Sequence, residues 1–450
     1  MTVALRLAQW AADLTTADLN ADVRRAVGRH LYDATGCALA ARRTEEAAPS
    51  LAVAAALGGP PEARVLGDVG RPPIGAVAAA LATGALVHAL DFDDTHAGGL
   101  VHASAVVLPA AFAVGQQVGA TGEEVLVAAV VGYEVGCRIA AGSPHGFHAR
   151  GLHATSVVGP LAAAAVTARL LRLSVEQTVH ALGIAGSSSA GLLEFLHAGS
   201  STKQLHPGLA SAAGVLAARL AAAGATGPDS VVEGRYGLYA TLSDRPADVA
   251  SVTTDLGSRW ETTSLTIKPY PACQLAHADL DAMAGLAIEP GDEVVRLTAQ
   301  VHPDAVDVVC EPQAAKVRPR SPYDAKFSLP WMLAARVIDG RIGVDTFSPA
   351  SIARADVVAL AERVDVDVVP SSLAAADAPG RVTMLTRDGR SRTAAVHASR
   401  GGPTNPLDDE ALQAKFEANA GGPCPAAARL LDLASVPDFT SLLAGIGGAW

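Results

Sequence analysis

A chain of 450 residues is about three times the length of a ~150-residue domain, so two domains, or one large and one small, are expected. Half of the residues are apolar, 4% are aromatic, and the 18% that are charged carry both signs, which excludes wholesale disorder and predicts a core of small, closely approaching helix faces. The net charge of −11 argues against nucleic acid or an anionic membrane as a partner, so an anionic ligand must be held by a local cluster of positive groups.

The N-terminal stretch turns acidic by Asp13 and lacks a small-residue cleavage site, so it does not read as a secretion signal. The uncharged run from Ile74 to Leu90 is mostly alanine and glycine; spanning a bilayer takes ~20 strongly apolar residues, so a buried helix is expected here. Thr121-Gly-Glu-Glu124 and Ser174-Val-Glu-Gln177 are capping boxes that open helices over Val125–Ala140 and Val175–Ala185. Pro160–Leu171 and Gly208–Ala223 are apolar on nearly every face, as in helices surrounded by other helices. Residues 1–265 therefore predict a large all-helical domain. After residue 265, Val294–Val301, Val364–Val369, Arg381–Thr386 and Arg392–Val396 read as strands, with Asp388-Gly389 as a hairpin turn. Helical segments at about 272–287, 325–339 and 350–363 interrupt them, so 266–400 predicts a smaller α+β domain. From Asn405 the chain returns to helix, with Asp408–Asn419, and residues 401–450 are expected to pack back on the first domain. The fold class is mainly α.

The five cysteines are widely spaced and form no CxxC, which argues against a disulfide framework, a zinc site or an iron–sulfur cluster and points to a reducing, cytoplasmic setting. A lone histidine is ordinarily a packed structural residue, but several of the thirteen here are grouped. His88, Asp91, Asp93, Asp94, His96 and His102 follow the end of an apolar helix, where imidazoles beside carboxylates can be tuned for proton transfer. Phe147–His153 precedes a helix over Thr155–Leu171. Gly199–Gly208 carries Lys203 and His206 in a Gly/Ser-rich loop, with Pro207 expected at a helix start, which suits an anion. Lys268–His277 falls at the expected domain boundary, a favoured place for a ligand cleft. Phe92-Asp93-Asp94-Thr95-His96 invites comparison with terpene synthases, but the chain has three asparagines, none in a second metal motif, and few aromatics. Phosphate-loop and dinucleotide fingerprints are absent.

Taken in order, these segments resemble the MmgE/PrpD family, which includes 2-methylcitrate dehydratases, cis-aconitate decarboxylases and iminodisuccinate epimerases. The matching text is His88–His96 with His102-Ala-Ser104, Gly132-Tyr-Glu134, Leu152–Gly159, Lys203-Gln-Leu-His206, Gly234-Arg-Tyr-Gly237, Lys268-Pro-Tyr-Pro271, Ala325-Lys-Phe-Ser328, Asn405-Pro406 and Lys415-Phe416. The resemblance implies a helical domain interrupted by an α+β lid, a homodimer, and an active site at the interdomain cleft without metal or other cofactor. The family's active-site positions fall on Asp91, His102, His153, Lys203 and Lys268. His206, Cys273 and Trp331 complete the expected substrate-binding set. Cys273 stands where the cis-aconitate decarboxylases have a histidine, and Trp331 where they have a tyrosine.

These substitutions make dehydration of a 2-methylcitrate-like or alkylcitrate substrate the leading expectation, with decarboxylation or epimerisation as alternatives and a non-catalytic carboxylate binder as the rival from another class. Lys203 and Lys268 are expected to clamp carboxylates and offset charge on an enolate-like transition state. His102 and His153 are expected to share the acid and base roles, with Asp91 orienting a histidine or holding a proton.

Overall fold

Alanine and glycine let the helices of the N-terminal half approach until their backbones nearly touch. The computed structural model describes residues 1–289 and 292–447. Its central helices are α1 (Ala21–Arg43), α2 (Ala76–His88), α3 (Ser104–Val118), α4 (Gly122–Ala141), α5 (Ala154–Leu170), α6 (Val175–Gly186) and α7 (Thr202–Ala222). Helix α7 lies against α2, α3, α5 and α6. A Cβ on Gly208 would come within 2.2 Å of the Leu81 carbonyl, and one on Gly84 within 2.6 Å of Gly208 Cα, so the α2–α7 crossing requires glycine on both sides. Both expected capping boxes form, at Thr121 with Glu124 and at Ser174 with Gln177.

One expectation fails at α7. The helix begins at Thr202, so Lys203 and His206 are helical and Pro207 lies inside it rather than at its start. A proline this close to the N-terminus forfeits one hydrogen bond, and the packing of α7 among four helices overrides that loss. Helices α3 and α5 likewise contain Pro109 and Pro160.

A two-stranded antiparallel pair, β1 (Thr95–His96) with β2 (Leu265–Thr266), ties the loop after α2 to the segment before Lys268. The remaining strands are β3 (Val294–Val301), β4 (Val364–Val368), β5 (Gly380–Thr386) and β6 (Ser391–Val396). They form a sheet in the order β4-β3-β5-β6, parallel between β3 and β4 and antiparallel elsewhere. Helices α8 (His277–Ala284), α9 (Leu329–Asp339) and α10 (Ala355–Ala361) accompany this sheet, and α11 (Asp409–Ala420) returns to α1. The buried apolar residues form two main clusters. One draws on Val3 to Ile267 and Leu407 to Ile446, the other on Tyr270 to Met384. The architecture is mainly α. No described helix is long and apolar enough to cross a membrane.

Candidate active site

Three helices of the first cluster present their N-termini to one cavity. His102 lies two residues before α3, His153 is the N-cap of α5, and Lys203 is the second residue of α7. Free N–H groups and the positive ends of three helix dipoles therefore face the same space, although the chain as a whole is acidic. The cavity measures about 920 Å³ and is also lined by Asp91, Thr95, Cys273 and Phe327.

Asp91 organises the charges. Its φ of 52° is in the left-handed region, a conformation that costs a non-glycine residue on the order of 1 kcal/mol or more and that clusters at functional sites. Its buried Oδ1 accepts from Lys203 Nζ at 2.7 Å and from Lys268 Nζ at 3.1 Å. Lys268 also donates to the Asp91 carbonyl at 3.0 Å. Burial pushes the Asp91 carboxyl up, but the two ammonium groups outweigh it and hold the pKa well below the usual carboxylate range. Burial likewise works against the charge of Lys268, and Asp91 reverses this, so its pKa is raised.

The tautomer of His102 follows from its partners. Its Nδ1 faces the Asp94 carbonyl at 2.9 Å, an acceptor, so Nδ1 donates and Nε2 keeps its lone pair. That Nε2 accepts from Lys203 Nζ at 3.3 Å. Burial first, then Lys203 and Lys268, depress the His102 pKa well below 6.5, so the ring is a neutral base. His153 is buried and neutral for the same leading reason, with its Nδ1 3.1 Å from His206 Nδ1 and its Nε2 without a partner.

The other motifs hold this arrangement in place. Tyr133 bonds Ser104 at 2.6 Å, and the Ser104 amide donates to Asp94 at 3.0 Å. Glu134 accepts from the Thr262 amide at 2.9 Å, steadying the chain just before β2. Lys415, far along the sequence, donates to the Phe92 carbonyl at 2.9 Å and pairs with Asp33 at 2.7 Å.

The structure thus brings Asp91, His102, His153, Lys203 and Lys268 together, but not all face the cavity. Lys268 is fully buried and acts through Asp91, and His206 stands behind His153. Trp331 is a correction: it does not line the cavity. It is 0% exposed, in the second apolar cluster, with its ring 5.9 Å from Phe347. Residues 329–335 of α9 are all buried, and the indole fills the interior of that packing.

Sequence reasoning placed His88 and Asp93 in a cluster but gave them no part. Asp93 accepts from His88 Nδ1 at 2.8 Å, leaving the buried His88 Nε2 unpartnered, and the His88 ring lies 4.6 Å from that of His102. Donor atoms of His88, His102 and His153 lie within 4.8 Å of one another, a set that could hold a transition-metal ion. The Lys203 ammonium on His102 Nε2 already supplies the positive charge at that point.

The fold and site define a class: a helical protein whose converging helix ends, ammonium groups and neutral imidazoles suit acid–base chemistry on a small polyanion. The sequence matches the MmgE/PrpD N-terminal domain over residues 5–249 and the MmgE/PrpD C-terminal domain over residues 270–436, and the chain belongs to the MmgE/PrpD family. It is 28% identical to a cis-aconitate decarboxylase of Aspergillus terreus, covering 93% of this chain and 89% of that protein. It is 30% identical to the cis-aconitate decarboxylase of Mus musculus over 76% of this chain and 71% of that one. A cis-aconitate decarboxylase-like protein, oryM, of Aspergillus oryzae is 28% identical over 78% and 76%.

Proposed function

We propose that the protein is a lyase that decarboxylates a cis-aconitate-type polycarboxylate. The observation that carries this reading is the Asp91–Lys203–His102 triad beside the unpartnered Nε2 of His153, all four lining one cavity. The names of the relatives favour decarboxylation over the dehydration expected from Cys273 and Trp331, and Trp331, buried away from the cavity, no longer weighs against it.

Loss of carbon dioxide breaks a C–C bond and leaves its electron pair on the carbon skeleton, which must then take up a proton. Lys203, with N–H capacity beyond Asp91 and His102, binds a carboxylate and stabilises that developing charge. His153 supplies the proton. A bound polyanion opposes the burial and neighbouring ammonium groups that keep its ring neutral, so the imidazole becomes an acid when substrate arrives. His102 holds the complementary lone pair, and the Asp93–His88 couple fixes its ring from behind. No step is assigned to a metal.

The test is incubation with cis-aconitate, citrate and 2-methylcitrate in the presence of a strong chelator, followed by proton NMR. Vinyl signals in a product with one carboxyl fewer are expected, at an undiminished rate. Vinyl products that retain every carboxyl would replace decarboxylation with dehydration, and activity restored only by added metal would overturn the metal-free scheme.

A further inference from the structure

We infer that the substrate is a polycarboxylate bearing an extended, uncharged apolar chain, and that the outer part of the cavity is the subsite for that chain. The inference rests on the decarboxylase reading for its head group and on separate observations for its tail. A volume of about 920 Å³ lies near the top of the ~300–1,000 Å³ range of pockets that enclose drug-sized ligands, and a six-carbon triacid would leave most of it unfilled.

The lining is divided by exposure. Lys203, His102 and His153, the groups that take carboxylates, are buried at its inner end. Leu192, 68% exposed, and the partly exposed Leu196, Leu275 and Val308 form its outer wall. Phe195 and Phe327 form, with Tyr323, a third apolar cluster separate from the two main ones, and Leu196, Cys273 and Val308 pack against it. The Phe327 ring in turn lies 5.2 Å from Lys203 Nζ. An apolar path therefore runs from the ammonium to the mouth, built from both parts of the chain. Apolar side chains left open to water along a cleft mark a surface that a ligand covers.

The charges at the mouth decide what kind of chain fits. Glu194, Asp304, Asp307 and Glu311 line it, and Arg245 there is paired with Asp304 at 3.2 Å. A tail ending in phosphate or a further carboxylate would meet like charge. An alkyl tail would not. It also meets thiol rather than imidazole at Cys273, whose pKa is raised chiefly by burial, so the group stays neutral.

The experiment measures kcat/KM for cis-aconitate and its C-methyl, C-butyl and C-hexyl homologues, together with binding of the matching saturated triacids, which cannot react. Each methylene that leaves water should improve kcat/KM and affinity by about fourfold, mainly through KM. Leu196→Asn should flatten both series, lowering the hexyl-to-unsubstituted ratio at least tenfold. Affinity that is equal or weaker for the longer saturated triacids would overturn the tail subsite. Affinity that rises with length while no homologue loses carbon dioxide would retain the subsite and reject the decarboxylase reading.

Discussion

Lys203 and Lys268 share one oxygen of Asp91, yet only Lys203 lines the cavity, and the two lysines should respond differently to the same substitution. Lys203→Met removes a charge-assisted contact worth about 1.5–3 kcal/mol to a carboxylate, so tricarboxylate affinity should fall roughly 10- to 100-fold, and Tm should fall as well because buried Asp91 loses one of its two ammonium partners. Lys268→Met leaves a buried carboxylate with one partner fewer, an effect of about 3 kcal/mol or more on stability, and should lower Tm and kcat more than affinity. Calorimetry and thermal unfolding separate the two; equal affinity losses would return Lys268 to the clamp role expected from the resemblance. The imidazoles give a second test. His102 and His153 sit well below 6.5 because of burial first and Lys203 next, and a bound polyanion counters the ammonium. Binding near pH 6.5 should therefore take up protons, measured by titration calorimetry in buffers of different ionisation enthalpy; buffer-independent heats would remove His153 as the acid. These side chains were legible in the sequence because motifs carry them. The Asp93–His88 couple was not, since it depends on how the chain turns after α2. Nor was the burial of Trp331, which depends on the rotation of α9, and an almost uniformly apolar segment does not specify rotation.

At the level of elements, the site depends on how closely α2 and α7 cross. Helix α2 ends at His88, three residues before Asp91, and α7 begins one residue before Lys203, so their separation sets the Asp91–Lys203 contact of 2.7 Å. The crossing has no room for a methyl group. A Cβ at position 208 meets the backbone of Leu81 and Ala85, which cannot rotate aside as a side chain can. Gly208→Ala should cost about 1–3 kcal/mol through overpacking and lower kcat/KM at least tenfold by drawing Lys203 away from Asp91. Unfolding in urea and steady-state kinetics check both; a variant with normal activity would show that the helices can move apart without disturbing the site. The strands and the hairpin at Asp388-Gly389 were readable because β-branched alternation and a turn pair are local signals. The start of α7 was misread because a proline is also a local signal, and here contacts with four other helices outweigh it.

For the whole molecule, α7 carries one more feature, an exposed row of Leu209, Leu216 and Leu220 at helical spacing. If the homodimer expected from the family uses this face, Leu209→Glu with Leu216→Glu should give a monomer by light scattering, and an unchanged mass would place the contact elsewhere. The pH dependence of stability draws on the entire interior. Burial, ahead of every other cause, lowers His30, His148 and His277 to about 3 and His206 to about 4. Each has an ordinary value of 6.5 in the unfolded chain, so between about pH 4 and 6.5 unfolding binds protons at all four. The folded state is therefore favoured above pH 6.5 and loses that advantage as pH falls. Asp94 acts in the opposite sense: burial raises it to about 7, so it holds a proton in the fold that the unfolded chain releases above its ordinary 3.8. His88, His102, His145 and His153 are lowered by burial in the same sense as these four, and Asp33, Asp279, Asp281 and Asp377 are raised in the sense of Asp94, so the histidines outnumber the raised carboxyls by eight to five and unfolding takes up protons as pH falls below 6.5. Tm should drop from pH 6.5 to 5, and His30→Gln, which cannot take up the proton, should shallow that acid slope. A Tm at pH 5 equal to that at pH 7.5 would mean that these imidazoles are charged in the fold, and the neutral base assigned to His102 would fall with them.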